Sequence, residues 1–388
     1  MRVLLLNGPN LNLLGTRRPE VYGTTTLDDL ETLVRGWAAD LGVTHVQAYQ
    51  SNHEGHLIDR LHAARGGVDG IVFNPGAFTH TSYALHDAIE AVEIPTVETH
   101  ISDVESREPW RRRSVVRPAC VHTVYGRGVE SYRWALRHLV ARARRPVERL
   151  RYADGAEQFV DLRFPDGSGP WPLAVLVHGG FWRHQWTSDT TELSALDLVD
   201  RGVACANVEY RRVGEAGGGG GGRASVEDVA AAVRFALEDP RVDAARWSIA
   251  GHSAGGQLAL AAVASLRDVV APPALAVSMA GCVDLEAAIA EGVGDGAAAA
   301  YVGEEDPAAL SPVRLVPLGV PLTAVHGRLD ESVPPGQSDS LVRAATAAGD
   351  DIDLVEFPDG HHFEFLDPAE PMWQAVAERL VAGVRPGG

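Results

Sequence analysis

Runs of apolar residues alternate with helical repeats along the first 143 residues of the chain. Buried strands are predicted at 3–6, 70–73 and 95–99, where short apolar runs end in polar turns. Between them, 27–41 places its large apolar side chains on one helical face, and 81–91 repeats that pattern. Strand and helix in alternation predict an α/β domain with a parallel, doubly wound sheet.

A second alternating pattern begins after an arginine-rich helix end that Pro146 terminates. Residues 149–164 read as a strand pair turning at Asp154 and Gly155. Further apolar strands follow at 173–177, 246–250, 321–325 and 353–357. The pattern therefore predicts two α/β domains, residues 1–145 and residues 146–388.

The composition narrows the chemistry. All 34 basic residues are arginine, which excludes lysine Schiff bases, pyridoxal phosphate attachment and a Walker A loop. Residues 1–145 hold 17 Arg against 16 acids, or +1, whereas residues 146–388 hold 17 Arg against 36 acids, or −19. The charge step falls at the predicted domain boundary. An acidic second half argues against nucleic acid or an anionic membrane as a partner.

Several short features predict little chemistry. Cys120, Cys205 and Cys282 are too few and too scattered for a disulfide framework or a zinc site, so a cytoplasmic location is expected. The apolar start of the chain is too short for a signal peptide or a membrane span. The run Gly217 to Gly222 lacks the lysine of a phosphate loop, and we interpret it as a flexible surface loop without an assigned function.

Polar loops follow the three strands of the first domain. Carboxyl ends of parallel strands share one crevice, so these loops are expected to converge. A glycine-bounded segment with Arg17 and Tyr22 is typical of a mobile lid, and four arginines follow the third loop. Together these amides, histidines and arginines predict a pocket for a small hydroxylated carboxylate, with no competing metal ligand set or phosphate loop.

Residues 1 to about 143 resemble the type II 3-dehydroquinate dehydratases. The resemblance lies in five segments in register: LLNGPNLNLLGTRRPEVYG, QSNHEGHLID, FNPGAFTHTS, VETHISDVESRE and GRGVESYRWAL. It implies a flavodoxin-like fold, and the unrelated type I mechanism is excluded because that mechanism needs a lysine. The implied reaction is cofactor-free dehydration of 3-dehydroquinate to 3-dehydroshikimate through an enolate, in the shikimate pathway or in quinate breakdown.

The resemblance also implies residue roles. Tyr22 would take the proton alpha to the ketone beside Arg17, Asn10 would hold a water on the enolate, and His100, supported by Glu98, would be the general acid. The substrate-binding residues would be Asn74, Gly76, His80, Ile101, Ser102 and Arg111. The sequence departs from the family pattern at Arg18, Pro109, Trp110 and Arg113. The family forms trimers and dodecamers in which a neighbour's aspartate reaches the site, and Asp87 matches that position.

The second half carries a Gly-X-Ser-X-Gly motif between a predicted strand and an alanine-rich helix. This context fits the nucleophile elbow, in which small glycines permit a strained serine. Residues 149–384 resemble α/β-hydrolases of the esterase, formamidase and prolyl-oligopeptidase-like group, on the segments HGGFW, GHSAGG, HGRLD and DGHHF. The resemblance implies Ser253 as nucleophile, Asp330 as acid and His362 as base, chosen over His361 because Phe363 follows it. The oxyanion amides would come from Gly180 or Phe181 and from Ala254.

The combined hypothesis is a bifunctional enzyme with small-molecule substrates, in which a dehydratase is fused to a serine hydrolase of small esters, amides or formamides. The first domain would make it a homo-oligomer, trimer or dodecamer. The alternative is that the first domain is an inactive oligomerising scaffold for the hydrolase. The hydrolase acyl and leaving groups, and any pathway shared by the two sites, stay open.

Overall fold

The computed structural model describes residues 1–17, 23–104 and 107–385. The chain divides into two compact units, Met1–Arg144 and Arg145–Gly388. Within the described residues, no helix combines the length and the apolar character that crossing a membrane requires.

The first unit is a five-stranded parallel sheet with one helix after each of the first three strands and one after the fifth. Its strands are β1 (Arg2–Asn7), β2 (His45–Gln50), β3 (Gly70–Asn74), β4 (Thr96–His100) and β5 (His122–Tyr125). Its helices are α1 (Leu27–Asp40), α2 (Glu54–Ala63), α3 (Tyr83–Val92) and α4 (Glu130–Arg144). The order β2-β1-β3-β4-β5 confirms the predicted flavodoxin-like sheet. The sequence pattern had missed β2 and β5.

Local sequence accounts for these elements. Strands β1 and β3 are apolar throughout their middle and wholly buried there, as strands of a sheet covered on both faces must be. Helix α1 starts at a capping box, in which the Thr26 hydroxyl accepts from the Asp29 amide and the Asp29 carboxylate accepts from Thr26. Asn7 pairs with Asn74 across β1 and β3, so the loops after these two strands start side by side.

The second unit is an eight-stranded sheet of the α/β-hydrolase type, as predicted. Its strands are β6 (Glu148–Arg151), β7 (Phe159–Arg163), β8 (Trp171–Val177), β9 (Ala204–Glu209), β10 (Val242–His252), β11 (Leu275–Met279), β12 (Leu322–Gly327) and β13 (Ile352–Phe357). The order is β13-β12-β11-β10-β8-β9-β7-β6. Strands β6 and β7 form the predicted antiparallel pair, and β8 to β13 run parallel. Strands β9 and β11 were not predicted.

Helices cover both faces of this second sheet, and nine lie in the described part of the unit. They are α5 (Glu192–Asp200), α6 (Gly222–Leu237), α7 (Ala254–Ser265), α8 (Leu285–Ala290), α9 (Ala297–Val302), α10 (Pro307–Leu310), α11 (Pro312–Leu315), α12 (Gly336–Ala348) and α13 (Pro371–Val384). Two apolar clusters, one on each face, fix the sheet between them. The carboxyl ends of β8, β10, β12 and β13 thereby open at one edge.

The structure places the glycine run only partly at the surface. Gly218 and Gly219 are exposed, so the run does reach the surface. However, Gly217 and Gly222 are buried, and the run forms backbone hydrogen bonds with Arg212 on both sides of that residue. Tertiary hydrogen bonds, which composition does not reveal, therefore tie the run to Arg212.

Candidate active sites

In the first unit, a pocket lies at the carboxyl ends of β1, β3 and β4. The loops after β1 and β3 meet closely, since the Gly8 amide donates to Asn74 O at 2.7 Å. A Cβ at Gly8 would lie 2.5 Å from Pro75 O, so this approach requires glycine. The predicted residues lining the pocket are Asn10, Arg17, Asn74, Gly76, His80, His100, Ile101, Ser102 and Arg111. The loops thus bring together residues from most of the unit.

His100 is held from behind by a buried carboxylate. Its Nε2 lies 2.7 Å from Glu98 Oε1, and the Glu98 side chain is fully buried. Ser114 Oγ donates to the same carboxylate at 3.1 Å, and Thr79 donates to it as well. Burial alone would raise the pKa of Glu98, but the His100 contact and these hydrogen bonds hold it below its usual value. Glu98 therefore fixes the ring so that Nδ1 is free to act in the pocket.

Asn74 is anchored by a tyrosine that sequence reasoning missed. Asn74 Nδ2 donates to the Tyr132 hydroxyl at 2.8 Å, and that hydroxyl donates to Asn7 Oδ1 at 2.8 Å. Asn74 Oδ1 accepts from the Gly76 amide at 3.1 Å. Only one amide hydrogen of Asn74 is left for a ligand, so the side chain is oriented before any substrate binds. Tyr132 lies on α4 within the segment GRGVESYRWAL, but that resemblance gave it no role.

Arg111 and His80 complete the lining of this pocket. Arg111 stacks on the Trp110 ring, with Cζ 4.0 Å from the ring centre, and its Nε lies 3.0 Å from Glu108. His80 Nδ1 contacts Arg113 O at 2.7 Å. Burial lowers the pKa of His80, which favours the uncharged ring at neutral pH. This wall suits a ligand with hydroxyls and one carboxylate.

The remaining predicted residues are not among the described residues that line this pocket. Tyr22, the predicted base, lies outside the described residues, as does Arg18. Asp87 is exposed on α3 and is not among the residues that line the described pocket. His86, Asp87 and Glu90 form a cluster with metal-ligand spacing on that helix, but two of the three are exposed. The cluster therefore gives no reason to place an ion there.

In the second unit, the serine sits on a sharp turn between β10 and α7. Ser253 has φ 56° and ψ −120°, a conformation that residues other than glycine rarely adopt. A Cβ at Gly251 would lie 1.9 Å from Gly255 O, and one at Gly255 would lie 2.1 Å from Val177 O. The two motif glycines thus allow the turn to close against β8, which is the nucleophile-elbow arrangement.

A histidine and an aspartate lie beside this serine. His362 Nδ1 lies 2.6 Å from Asp330 Oδ2, whereas His361 is exposed and contacts Leu329 O. The amides of Ser332 and Val333 each donate to Asp330 Oδ1 at 2.8 Å. Burial alone would raise the pKa of Asp330, but hydrogen bonds from His326 and His362 hold it well below its usual range. The structure therefore brings together an ionised carboxylate and an oriented imidazole.

Ser253 and His362 line one small pocket with apolar walls. Gly180, Phe181, Trp186, Phe363 and Leu366 complete most of it. The amides of Gly180, Phe181 and Ala254 have no hydrogen-bond partner among the described residues. They are therefore available to donate to an oxyanion. Ser253 Oγ makes no direct hydrogen bond to His362 there, a contact that is often loose before substrate binds.

The two units are similar to two different families of known proteins. The model of the family "Dehydroquinase class II" matches residues 1–140, and that of the prolyl oligopeptidase family matches residues 194–378. A catabolic 3-dehydroquinase of Aspergillus oryzae is 54% identical over 137 residues, which is 35% of this chain and 89% of that protein. One from Verticillium alfalfae is 55% identical over 142 residues, 36% of this chain and 94% of that protein.

The structural likeness of the second unit is to esterases. Esterase B from Lactobacillus rhamnosis is 20% identical, with a TM-score of 0.53, and the match covers 61% of this chain and 84% of that one. At this identity the likeness shows the α/β-hydrolase fold alone.

Proposed function

The chain belongs to the class II dehydroquinase family through residues 1–140, and on this premise we propose that its first unit dehydrates 3-dehydroquinate to 3-dehydroshikimate. The observation that carries the proposal is the His100–Glu98 contact of 2.7 Å at the wall of a pocket that Arg17, Asn74 and Arg111 also line. The catabolic activity named for the fungal relatives favours quinate breakdown over biosynthesis.

The proposed steps use the side chains of this chain and no cofactor. Tyr22, as phenolate beside Arg17, removes the proton alpha to the ketone, and the electron pair forms an enolate whose charge a water on Asn10 stabilises. The carbon–oxygen bond then breaks as His100 protonates the departing hydroxyl, which leaves as water. The phenol proton returns to His100 through solvent, so both groups are restored. Ile101 and Ser102 bind the carboxylate.

The conjugated product absorbs in the ultraviolet, which gives a direct assay of the purified chain with 3-dehydroquinate. We expect Tyr22→Phe to lose turnover, whereas Tyr49→Phe, whose ring lies outside the pocket, keeps it. A folded wild-type protein without turnover would instead support the alternative, an inactive scaffold for the hydrolase. A fully active Tyr22→Phe would remove the assignment of the base.

For the second unit we propose serine-dependent hydrolysis of a small ester or formamide. The observation that carries this proposal is the 2.6 Å contact between His362 and Asp330 in the pocket that Ser253 lines. Ser253 attacks the carbonyl while His362 takes its proton, and the oxyanion binds the amides of Gly180 or Phe181 and of Ala254. His362 then protonates the leaving group. Water, activated by His362, releases the acid and restores the serine.

A substrate panel tests this second activity. It contains short p-nitrophenyl esters, N-formyl aromatic amines and a prolyl p-nitroanilide, because the prolyl oligopeptidase match makes a peptidase the competing candidate. We expect turnover of the small esters or formamides that Ser253→Ala abolishes and Ser265→Ala, at the far end of α7, preserves. Preference for the anilide would replace the esterase assignment. Equal rates for wild type and Ser253→Ala would overturn the nucleophile assignment.

A further inference from the structure

A buried cluster of charges lies behind the loop that follows β8. Glu209, the last residue of β9, has a side chain only 1% exposed. Its Oε1 accepts from His178 Nε2 at 3.1 Å and also from Arg212, and its Oε2 accepts from the Ser188 amide at 2.9 Å. Glu209 therefore holds His178, two residues before Gly180, at a fixed position.

Arg212 extends the cluster to the other side of the same loop. Its side chain is 2% exposed, and besides Glu209 it donates to Glu157 and to Trp186 O, the latter at 3.0 Å. Trp186 in turn packs on Gly180, where an added Cβ would lie 2.1 Å from the Trp186 Cβ. The pair Arg212 and Glu209, which we call the brace, thus supports the loop from both of its ends.

The loop after β8 has an unfavourable backbone conformation that its surroundings must stabilise. Gly180, Phe181 and Trp182 have φ values of 111°, 52° and 54°, and two of these residues carry side chains that disfavour positive φ. Backbone in this region persists only where the surroundings impose it. Trp182 O also accepts from the Val213 amide at 3.0 Å, so the segment that carries Arg212 contacts the loop directly.

The glycine run fixes the backbone of Arg212. The Arg212 amide donates to Gly217 O, and Arg212 O accepts from the Gly220 amide at 2.8 Å. A Cβ at Gly217 would lie 2.6 Å from Arg212 O, and one at Gly220 would lie 2.2 Å from Arg211 O. Glycine at these two positions is therefore a requirement of close backbone approach and not only of chain flexibility.

We propose that the brace, clamped by the glycine run, positions the oxyanion amides of Gly180 and Phe181 for the hydrolytic reaction. The inference rests on the proposed serine-hydrolase function and assigns a role to residues that touch no substrate. Oxyanion donors act in the transition state, so misplacing them lowers kcat more than it changes KM. Arg212 and Glu209 are accordingly positioning residues.

The test compares two buried arginines of the second unit. Arg163 on β7 pairs with Glu192 at 2.7 Å and is 1% exposed, so Arg163→Met matches Arg212→Met in burial and charge. With the best ester found for the wild type, we expect Arg212→Met to lower kcat about 10- to 100-fold with KM within about 3-fold. Arg163→Met should keep kcat, even if its Tm falls. Equal kcat losses in the two variants would overturn the proposal.

A second pair of measurements separates positioning from folding. Removing one partner leaves a buried charge stranded, so Arg212→Met is expected to lower Tm. The double variant Arg212→Met with Glu209→Gln removes both charges and should regain Tm, yet its kcat should stay low. Affinity for a boronic acid, which forms a tetrahedral adduct on serine, should fall in parallel with kcat. Recovery of kcat together with Tm would show that the brace serves stability alone and would overturn the proposal.

Gly220→Ala tests the clamp, because its methyl group would collide with the Arg211 carbonyl. Gly219→Ala is the neighbouring control: a Cβ there meets nothing within 4 Å, and its positive φ of 71° adds backbone strain without a collision. We expect a drop in kcat for Gly220→Ala that Gly219→Ala does not share, and equal kcat for the two would remove the clamp from the proposal. A wild-type protein without any Ser253-dependent turnover would overturn the proposed function, and the brace with it.

Discussion

At the scale of single residues, each pocket places a histidine against a carboxylate that is kept ionised. Glu98 and Asp330 lie at 2.7 Å and 2.6 Å from their histidines, and hydrogen bonds hold the pKa of each carboxyl below its usual value despite burial. A buried carboxylate that accepts several hydrogen bonds fixes ring orientation and stabilises the imidazolium during proton transfer. Two different folds therefore hold a pocket histidine by the same kind of contact.

Glu98→Gln tests this device in the first unit. Glutamine keeps the size of the side chain. However, the Glu98 carboxylate accepts hydrogen bonds from His100, Thr79 and Ser114, and the NH2 group of glutamine cannot accept them. We expect kcat for 3-dehydroquinate to fall about 10- to 100-fold. KM should change little, because Glu98 does not line the pocket. Steady-state kinetics measure both constants, and a change confined to KM would contradict the prediction.

His252, which precedes Ser253, makes the stability of the second unit depend on pH. Burial, followed by the charge of His362, lowers its pKa to about 3. In the unfolded chain the ring titrates near ~6.5, so between these pH values the unfolded state binds more protons. Stability is therefore complete above about pH 6.5 and declines as the pH falls towards 3, by on the order of 5 kcal/mol from this group.

The midpoint temperature of thermal inactivation of the hydrolase is measured at several pH values from 4 to 7 for wild type and variant. The quantity of interest is the difference between the two midpoints at each pH. His252→Gln retains a donor for His362 O but cannot titrate, so the difference should shrink as the pH falls. His361→Gln, an exposed histidine of the adjoining loop, is the control and should follow the wild type. Parallel curves for wild type and His252→Gln would exclude this role.

At the scale of elements, a strand could be predicted where its apolar run is continuous. Strands β1, β3 and β8 fit that description, and their polar ends located both sites. Strand β2 was missed because only Val46 of its six residues is buried, which leaves no apolar run to read. Strand β9 was missed because buried Asn207 and Glu209 interrupt it, and both satisfy their polar atoms through Ser188.

The same reasoning explains which site residues could be predicted. Residues at strand ends within a short motif, such as Ser253 and His100, are visible in sequence because local chemistry defines them. Tyr132 and Arg212 act through contacts that depend on the folded chain, and the sequence assigned neither of them a role, although Tyr132 lies in a family segment. Asp330 and His362 could be proposed from their strands, but the 3.3 Å contact of His326 with Asp330 needed the structure.

The nucleophile elbow gives a prediction at this scale. Gly251→Ala would place a methyl group 1.9 Å from Gly255 O, a backbone atom that cannot move without shifting α7. We expect loss of hydrolase activity and a fall in Tm. Gly336→Ala at the exposed start of α12 is the matched control, since a Cβ there meets nothing within 4 Å. It should gain about 0.4–1 kcal/mol. Differential scanning fluorimetry and the ester assay report both results, and an active Gly251→Ala would contradict the close packing.

At the scale of the whole molecule, the chain joins two units of different charge, fold and chemistry. The position of Asp87 bears on assembly, because this residue is exposed on α3 and does not line the described pocket of its own chain. If Asp87 acts in dehydration, it acts on a neighbouring copy. We therefore propose a homo-oligomer, a trimer or dodecamer, in which neighbouring first units share their sites.

Mixed oligomers test this shared site. Asp87→Ala and Arg17→Ala should each be weakly active alone, because every pocket then lacks one contribution. After co-expression in equal amounts, about one pocket in four combines an intact Arg17 with a neighbour's intact Asp87, so activity should recover to about a quarter of wild type. Glu90→Ala, which alters an exposed acid one turn further along α3, is the control and should be active alone. Sedimentation gives the mass of the assembly. A monomeric mass, or no recovery in co-expressed oligomers, would place each dehydratase site within one chain and leave Asp87 without a catalytic role.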